Sequence, residues 1–166
     1  ALFGLEICLS PAKAIEYYQQ ALAIAREIHN RKLEQIALNN LGFTYVGLGN
    51  SAKVVEYYQQ VLAIARELKE RSTETSALAY MGDAYASLKE NQKAIESAQQ
   101  ALTLAPETKN SSAEALALDT LSRAYSSLSD TQKTLEFAQQ GLVVARQIKN
   151  KLVEVRALAF IGFLTP

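Results

Sequence analysis

The sequence predicts an all-α fold in which antiparallel helix pairs stack into an α-solenoid. The first observation is a repeat of forty residues: segment 12–20, AKAIEYYQQ, returns as AKVVEYYQQ at 52–60. Shorter matches follow at 92–100 and 132–140. The second observation is that apolar residues within each period recur at spacings of three and four, which is typical of amphipathic helices. One helix pair cannot bury its apolar stripe alone, so each pair must pack on the next.

Two sets of helices alternate along the chain. In the first period, one stripe consists of Ile15, Tyr18, Leu22, Ala25 and Ile28. Its set, the second helices of the units, is predicted near 11–28, 52–69, 92–105 and 131–149. The other set, the first helices, is predicted near 33–48, 73–88, 112–128 and 152–164.

Local signals mark the helix ends. Ser10 before Pro11 is typical of an N-cap followed by proline at the first helical position. Ser111 and Glu114 have the spacing of a capping box. Turn residues separate the helices at 29–31, His-Asn-Arg, and at 49–51, Gly-Asn-Ser.

We expect a single repeat domain. Its units lie near 1–30, 31–70, 71–110 and 111–150, with a partial unit at 151–166. The chain begins with Ala1 rather than Met and ends inside an apolar pattern, which predicts a fragment of a longer protein. The opening residues 1–5 fit the remnant of a truncated helix, and the apolar centre of a signal peptide is the alternative.

The placement of large and small residues resembles the tetratricopeptide repeat in its long form. That family has a large apolar residue, then Leu-Gly, then Tyr on its first helix. Leu38, Leu41-Gly42 and Tyr45 match this pattern. Their counterparts in later units are Leu78, Met81, Gly82 and Tyr85; Leu118, Leu121, Ser122 and Tyr125; Leu158, Ile161 and Gly162.

The second helix of the family carries a small, an aromatic and a small residue, as in Ala14, Tyr18 and Ala21. Ala98 departs from this by lacking the aromatic ring, and Pro106 matches the family's closing proline. We expect Pro106 to end its helix early and to lengthen the corner that follows. The resemblance implies a right-handed superhelix whose glycine row allows close helix packing, whose tyrosine row fills the space between pairs, and whose first helices line a concave peptide groove.

The composition argues against several classes of function. Seventeen Lys and Arg balance seventeen Asp and Glu, whereas nucleic acids and anionic membranes select a positive excess. One Cys and one His exclude an internal disulfide, a Cys-rich zinc site and a two-histidine site. No apolar run approaches a membrane span. We therefore expect no metal, no cofactor, no membrane or nucleic-acid partner, and no enzymatic activity.

Single reactive residues fit structural roles better than catalytic ones. In the repeat register Cys8 aligns with the row of Leu48, Leu88 and Leu128, which we expect to be a core row; a nucleophile is the alternative. His29 aligns with lysines at a corner after a helix end, where a cation complements the helix dipole.

Charged residues also recur with the period. The row of Glu16, Glu56, Glu96 and Glu136 is predicted to be a solvated outer face, because one repeat separates each carboxylate from the next. Lysines three residues before them can pair locally. Basic corners near residues 31, 69–71 and 149–151 are explained by helix ends, with phosphate attraction as the alternative.

One face of the first helices changes its chemistry from unit to unit, unlike the core rows. The predicted partner-binding residues on this face are Asn39, Asn40, Phe43, Val46, Tyr80, Asp83, Ala86, Asp119, Thr120 and Arg123. The two asparagines could hydrogen-bond a peptide backbone, and Phe43 and Tyr80 could anchor an apolar side chain. Asp83 and Asp119 would favour a basic group, which predicts a short partner segment of mixed apolar and basic character. The alternative is that this face varies because nothing constrains it.

The predicted function is a non-enzymatic interaction module, or scaffold, of a larger cytoplasmic protein, binding a protein or peptide. A second hypothesis is a structural spacer or a rod that self-associates end to end, because the apolar pattern 158–164 lacks the polar cap that repeat arrays need. A third is a regulatory domain of a larger signalling enzyme.

Overall fold

The computed structural model describes residues 10–164 and contains eight α-helices in that range. They are α1 Pro11–Glu27, α2 Arg31–Gly47, α3 Ser51–Glu67, α4 Arg71–Ser87, α5 Asn91–Thr108, α6 Ser111–Ser127, α7 Thr131–Gln147 and α8 Lys151–Leu164. Each helix packs against the next along the chain, and α4 and α8 also pack against α6. No strand occurs in the described range. The prediction of an all-α solenoid is confirmed.

The corners share one backbone geometry, which keeps the period constant. After each of α1 to α7, one residue adopts a positive φ between 52° and 68°. These residues are His29, Gly49, Lys69, Lys89, Lys109, Ser129 and Lys149. The following N–H then bonds back into the helix, as from Asn30 N to Ala25 O at 2.9 Å, and satisfies a terminal carbonyl group. Every helix therefore reverses direction within a few residues.

Helix caps confirm one prediction and correct another. Ser10 caps α1, because its hydroxyl accepts a hydrogen bond from Lys13 N at 3.4 Å. At α6 the N-cap is Asn110, whose side chain accepts from Ala113 N at 3.1 Å, so the prediction of Ser111 is wrong. The repeated corner geometry explains this. The residue that follows each positive-φ residue is the last one before the next helix, and it therefore takes the N-cap position.

The prediction that Pro106 ends its helix is also wrong. α5 continues through Pro106 to Thr108, and two residues separate it from α6, whereas three residues separate every other pair of consecutive helices. Proline removes one N–H donor in the last turn, where few helical bonds remain to be lost. The Thr108 hydroxyl donates to Leu104 O at 3.1 Å and helps to close this turn.

The core is built from the repeated rows. Leu38, Leu78 and Leu118 are buried on the first helices. Tyr45 stacks on Tyr57 of α3 with ring centroids 5.5 Å apart, so the tyrosine row fills the space between helices as expected. Tyr85 and Tyr125 occupy the same place in later units: the first is buried, and the second stacks on Phe137 at 5.6 Å.

The row of Leu48, Leu88 and Leu128 is not a core row. These leucines follow the ends of the first helices and are exposed, because the turn points them away from the stack. Cys8, which was assigned to this row, lies outside the described residues.

One position on the second helices controls the spacing between neighbouring first helices. Tyr58 is buried and stacks on Tyr80 of α4, with centroids 5.0 Å apart. Forty and eighty residues later the position holds Ala98 and Ala138. α4 lies directly against α6, and α6 against α8, whereas no pair of Cα atoms joins α2 to α4 within 8 Å in the described chain. The tyrosine therefore opens a wider gap at the start of the solenoid.

Candidate functional site: the face of the first helices

The predicted site residues lie on one face of α2, α4 and α6, which together with its continuation on α8 we call the first-helix face. Phe43 is its most exposed member among the predicted residues, at 58%. The partly exposed members are Asn39, Asn40, Val46, Tyr80, Asp83, Ala86 and Arg123. Asp119 and Thr120 are buried, at 4% and 0% exposure, so the expectation of an open face is wrong at these two positions.

An aromatic cluster forms the part of this face nearest the N-terminus. Phe43 meets Tyr80 edge to face, with centroids 6.2 Å apart and planes at 79°. Tyr80 stacks on the buried ring of Tyr58. Burial raises the pKa of the Tyr80 hydroxyl, with a further contribution from Asp83, so Tyr80 stays neutral at physiological pH. Phe43 thus packs on Tyr80, which in turn packs on the buried ring of Tyr58 in the core.

A ladder of alternating charges crosses the face from α4 to α8. Arg123 donates from Nη1 to the carboxylate of Asp83 and from Nη2 to Ser87 Oγ at 3.2 Å. Its Nη1 also lies 3.8 Å from Asp119 Oδ2. Arg156 donates from Nη1 to the same Asp119 oxygen at 2.5 Å. Burial raises the pKa of the Asp119 carboxyl, while the two guanidinium groups oppose that shift.

These ion pairs remove the reason to expect a basic partner segment. Asp83 and Asp119 were expected to attract a cationic group, but Arg123 and Arg156 of the same chain already neutralise them. The register explains the pairing, because Asp83 and Arg123 are forty residues apart and hold the same place on neighbouring first helices. Sequence reasoning placed both residues on one face without pairing them.

Several cavities open along the first-helix face, including one beside Asn39 and one beside Arg123. One of about 260 Å³ lies between α2 and α4 and is lined by Lys32, Gln35, Ile36, Asn39, Ser72, Thr73 and Ser76. The other, of about 530 Å³ between α6 and α8, is lined by Arg123, Ser126, Arg156, Ala159, Phe160, Phe163 and Leu164. Sequence reasoning missed the α8 residues. The signal was present, because Phe160 and Phe163 lie forty residues after Thr120 and Arg123.

Ion pairs join consecutive units away from this face. Glu34 accepts from Arg26 at 2.9 Å and from Arg31 at 2.7 Å, and Glu74 is held in the same way by Arg66 and Arg71. Glu154 is held by Arg146 and Lys151. We call each of these three arrangements a clasp. Partial burial opposes ionisation of Glu34 and Glu74, but the arginine hydrogen bonds outweigh it and lower the pKa of both carboxyls.

The remaining polar residues of interest lie at the surface. Glu16, Glu56, Glu96 and Glu136 are exposed, as predicted, and Glu56 pairs with Lys53 at 2.7 Å. His29 lies at an exposed corner, also as predicted. The basic corners are partly neutralised, because Arg31 pairs with Glu67 at 2.6 Å.

Residues 10–164 hold neither a metal-binding cluster nor a helix able to cross a membrane. Within that range no three His, Cys, Asp or Glu side chains are grouped so as to hold a metal ion. None of the helices there combines the length and the apolar character needed to cross a membrane.

Solved structures of other proteins share this architecture. A STAND (signal transduction ATPase with numerous domains) protein with a tetratricopeptide repeat sensor, from Pyrococcus horikoshii, matches with a TM-score of 0.78 and 22% identity. The match covers 95% of this chain and 24% of that chain, so this chain spans about a quarter of its length. A putative kinesin light chain from Podospora anserina with nearly identical TPR-like repeats matches with a TM-score of 0.69 and 18% identity, over 93% of this chain and 77% of that one. BtubC from P. vanneervenii matches with a TM-score of 0.65 and 15% identity, over 95% and 76%.

The sequence itself matches two family models, both described as tetratricopeptide repeat. One covers residues 10–67 and the other residues 75–108, together more than half of the chain. No curated protein matches it. These ranges contain α1 to α3, most of α4, all of α5, and both Gly42 and Gly82, and the chain belongs to the tetratricopeptide repeat family.

Proposed function

We propose that this chain is a protein-binding module that holds a partner segment on its first-helix face, without catalysis of its own. Tetratricopeptide repeats generally mediate protein–protein interaction, and the fold is generally non-catalytic. The observation that carries the proposal is the ordered aromatic cluster. An exposed ring held by buried neighbours loses little conformational freedom on binding, so burying it favours association.

The partner segment meets three chemical environments along the face. Asn39 and Asn40 lie beside Phe43 and offer donors and acceptors to an extended backbone. Phe43 and Tyr80 accept an apolar side chain. Asp83 and Arg123 neutralise each other, so this part of the face favours an uncharged polar group rather than a free cation. The proposed partner is therefore a mainly apolar segment with polar backbone contacts.

Peptide display followed by fluorescence polarisation tests this proposal. Peptides selected on the wild-type protein are labelled and titrated against Phe43→Ala and against Leu128→Ala. Leu128 is the matched control, because it is also an exposed apolar residue but lies at a corner after α6. We expect Phe43→Ala to weaken binding about 10- to 100-fold, the range for loss of an aromatic anchor. Equal affinities of both variants and the wild type would contradict the proposal.

A further inference from the structure

We propose that the cavity between α2 and α4 is a pocket for a primary amide, the end group of an asparagine or glutamine side chain in the partner segment. The cavity opens on the first-helix face, so this inference rests on the proposed function and names the side chain that this part of the face selects. One residue points to such a ligand. Gln35 lines the cavity, is 2% exposed, and no described atom accepts a hydrogen bond from its Nε2. Buried donors without acceptors are costly, so an occupant that brings an acceptor is favoured.

The two ends of the Gln35 amide have different surroundings. Lys32 Nζ donates to Gln35 Oε1 at 3.0 Å and also to the Glu70 carboxylate. The amide oxygen is therefore held within the chain, and Nε2 is the atom left to meet an occupant. Lys32 and, more weakly, Gln35 lower the pKa of the Glu70 carboxyl, but Nε2 completes no hydrogen bond with it. Nε2 has two hydrogens to donate to a ligand.

The charges beside the cavity favour a neutral ligand. The Lys32 ammonium group and the Glu70 carboxylate neutralise each other. A cationic side chain would lie near Lys32 and would leave Gln35 Nε2 without an acceptor. A carboxylate would supply acceptors, but it would lose its hydration close to the ionised Glu70. A primary amide carries no charge and provides an acceptor together with two donors.

The other side chains of the cavity suit the same group. Asn39 has a carbonyl oxygen that can accept from the NH2 of a ligand. Ser76 Oγ accepts from Asn110 Nδ2 at 2.9 Å and keeps its own hydrogen for an acceptor. Ile36 gives the cavity an apolar wall, against which the methylene groups next to the amide can pack. The cavity therefore matches both the polar end and the apolar stem of the side chain.

The next unit shows that the repeat does not produce this pocket by itself. Five lining positions recur forty residues later around a cavity of about 60 Å³ between α4 and α6, compared with about 260 Å³ between α2 and α4. There Asn39, Thr73 and Ser76 are replaced by Ala79, Ala113 and Leu116. The place of Gln35 holds Thr75, whose hydroxyl donates to Arg71 O at 2.7 Å. Of these two cavities, only the one between α2 and α4 combines space with an unpaired donor.

Nuclear magnetic resonance titration of the full chain, labelled with nitrogen-15, tests the pocket. The probes are N-acetylglutamine N-methylamide and its glutamate and methionine analogues, which share one backbone and have side chains of similar length. We expect the glutamine probe to shift the side-chain NH2 signals of Gln35 and Asn39. It should bind at least about tenfold more tightly than either analogue, because only the amide pairs the buried donor without adding a charge.

Two variants change the pocket, and a third is the matched control. Gln35→Met removes the unpaired donor at similar side-chain length, and Lys32 still pairs with Glu70, so the fold should persist. Ser76→Leu introduces the residue found forty positions later and fills the space. Thr75→Val removes a buried hydroxyl at the equivalent place of the next unit, outside the cavity lining. We expect the first two to weaken binding of the glutamine probe at least about tenfold and the control to bind it as the wild type does, with circular dichroism confirming helicity.

Three results would overturn the inference. The first is no binding, or equal affinity for the three probes. The second is binding that leaves the Gln35 and Asn39 signals unshifted, and the third is binding retained in both Gln35→Met and Ser76→Leu. Failure of the proposed function would look different, because Phe43 does not line the cavity. Unchanged affinity of selected peptides for Phe43→Ala would contradict that function without altering the preference of the pocket for the glutamine probe.

Discussion

At the scale of single residues, small side chains set how closely helices approach. Gly42 packs under the ring of Tyr58, and an added Cβ would lie 2.8 Å from a ring carbon. Tyr58 cannot move away, because it is buried and stacked on Tyr80. Gly82 faces backbone instead, with Ala98 N 3.2 Å from its Cβ position. Both units need a small residue in the glycine row. At Gly42 a side-chain ring leaves no room for a Cβ atom, and at Gly82 the backbone of the neighbouring helix does.

Gly42→Ala is expected to lower the free energy of unfolding by about 1–3 kcal/mol, the usual cost of overpacking a core. Gly47→Ala is the matched control, because its Cβ would meet nothing within 4 Å of the described chain. That change should be neutral or stabilising by up to about 1 kcal/mol, since alanine has the higher helix propensity. Urea denaturation measures both. An equal effect of the two changes would mean that Tyr58 does not limit the packing.

At the scale of helices and corners, clasps connect a second helix to the next first helix in three of four places. The third copy lacks one, because Pro106 occupies the place of Arg26, Arg66 and Arg146. Glu114, which corresponds to Glu34, forms no ion pair among the described residues. This corner therefore combines a lost helical hydrogen bond with a carboxylate that lacks a cation.

Pro106→Arg is expected to stabilise the protein by about 1–2 kcal/mol, less than the ~3 kcal/mol that proline costs in a helix interior. The substitution restores an N–H donor and supplies a guanidinium group for Glu114. Pro106→Ala separates the two contributions, because it restores only the donor. Thermal unfolding followed by circular dichroism measures both variants, and a loss of stability in both would show that the proline is favourable where it stands.

The clasps also predict a loss of stability in acid. The pKa of the Glu34 and Glu74 carboxyls is lowered in the folded chain. Their contribution to the free energy of unfolding is therefore complete at pH values above the ordinary glutamate pKa near 4.5. It is lost as the pH falls through the folded pKa, because protonation removes the ion pairs. The melting temperature should therefore fall as the pH drops below about 4.5.

Substitution identifies the groups responsible for this pH dependence. Glu74→Gln should melt at a lower temperature than the wild type at neutral pH and should lose less on acidification. Glu114 occupies the same place in its unit but has no clasp, so Glu114→Gln should show the same dependence of melting temperature on pH as the wild type. If Glu74→Gln and the wild type show parallel profiles, carboxyls outside the clasps control the acid response.

At the scale of the whole molecule, stability depends on how many neighbours each helix has. α4 and α6 contact helices on both sides along the chain and also contact each other, whereas α1 packs only on α2 within the described chain. In a solenoid, stability is close to a sum of unit terms and neighbour terms. The ends should therefore open before the middle.

Amide hydrogen exchange followed by mass spectrometry should show this gradient. Peptides from α4, α5 and α6 should exchange most slowly, and those from α1 and α8 should exchange at least tenfold faster, the ratio given by about 1.4 kcal/mol of opening free energy. Uniform protection along the chain would show a fully cooperative unit instead.

The architecture follows from the order of the amino acids alone. The forty-residue period, the apolar spacing and the glycine and tyrosine rows predict helix pairs, their order and their family, because these depend on side-chain pattern and local turn chemistry alone. The predicted helix bounds lie within two residues of the observed ones, except that α5 ends three residues later than predicted. The membership of Asn39, Phe43 and Tyr80 in one face followed from the helical repeat, although their role in binding stays a prediction.

Which of those residues are accessible to a partner depends on how the helices pack in three dimensions. Asp119 and Thr120 share the predicted face but are buried, and Asp83 is neutralised by Arg123 from the next unit. Such facts depend on the distance between helices that are forty residues apart in sequence. That distance is set by whether a tyrosine or an alanine lies between them, as at Tyr58 and Ala98. Burial and pairing arise from this three-dimensional spacing, which no single helix encodes.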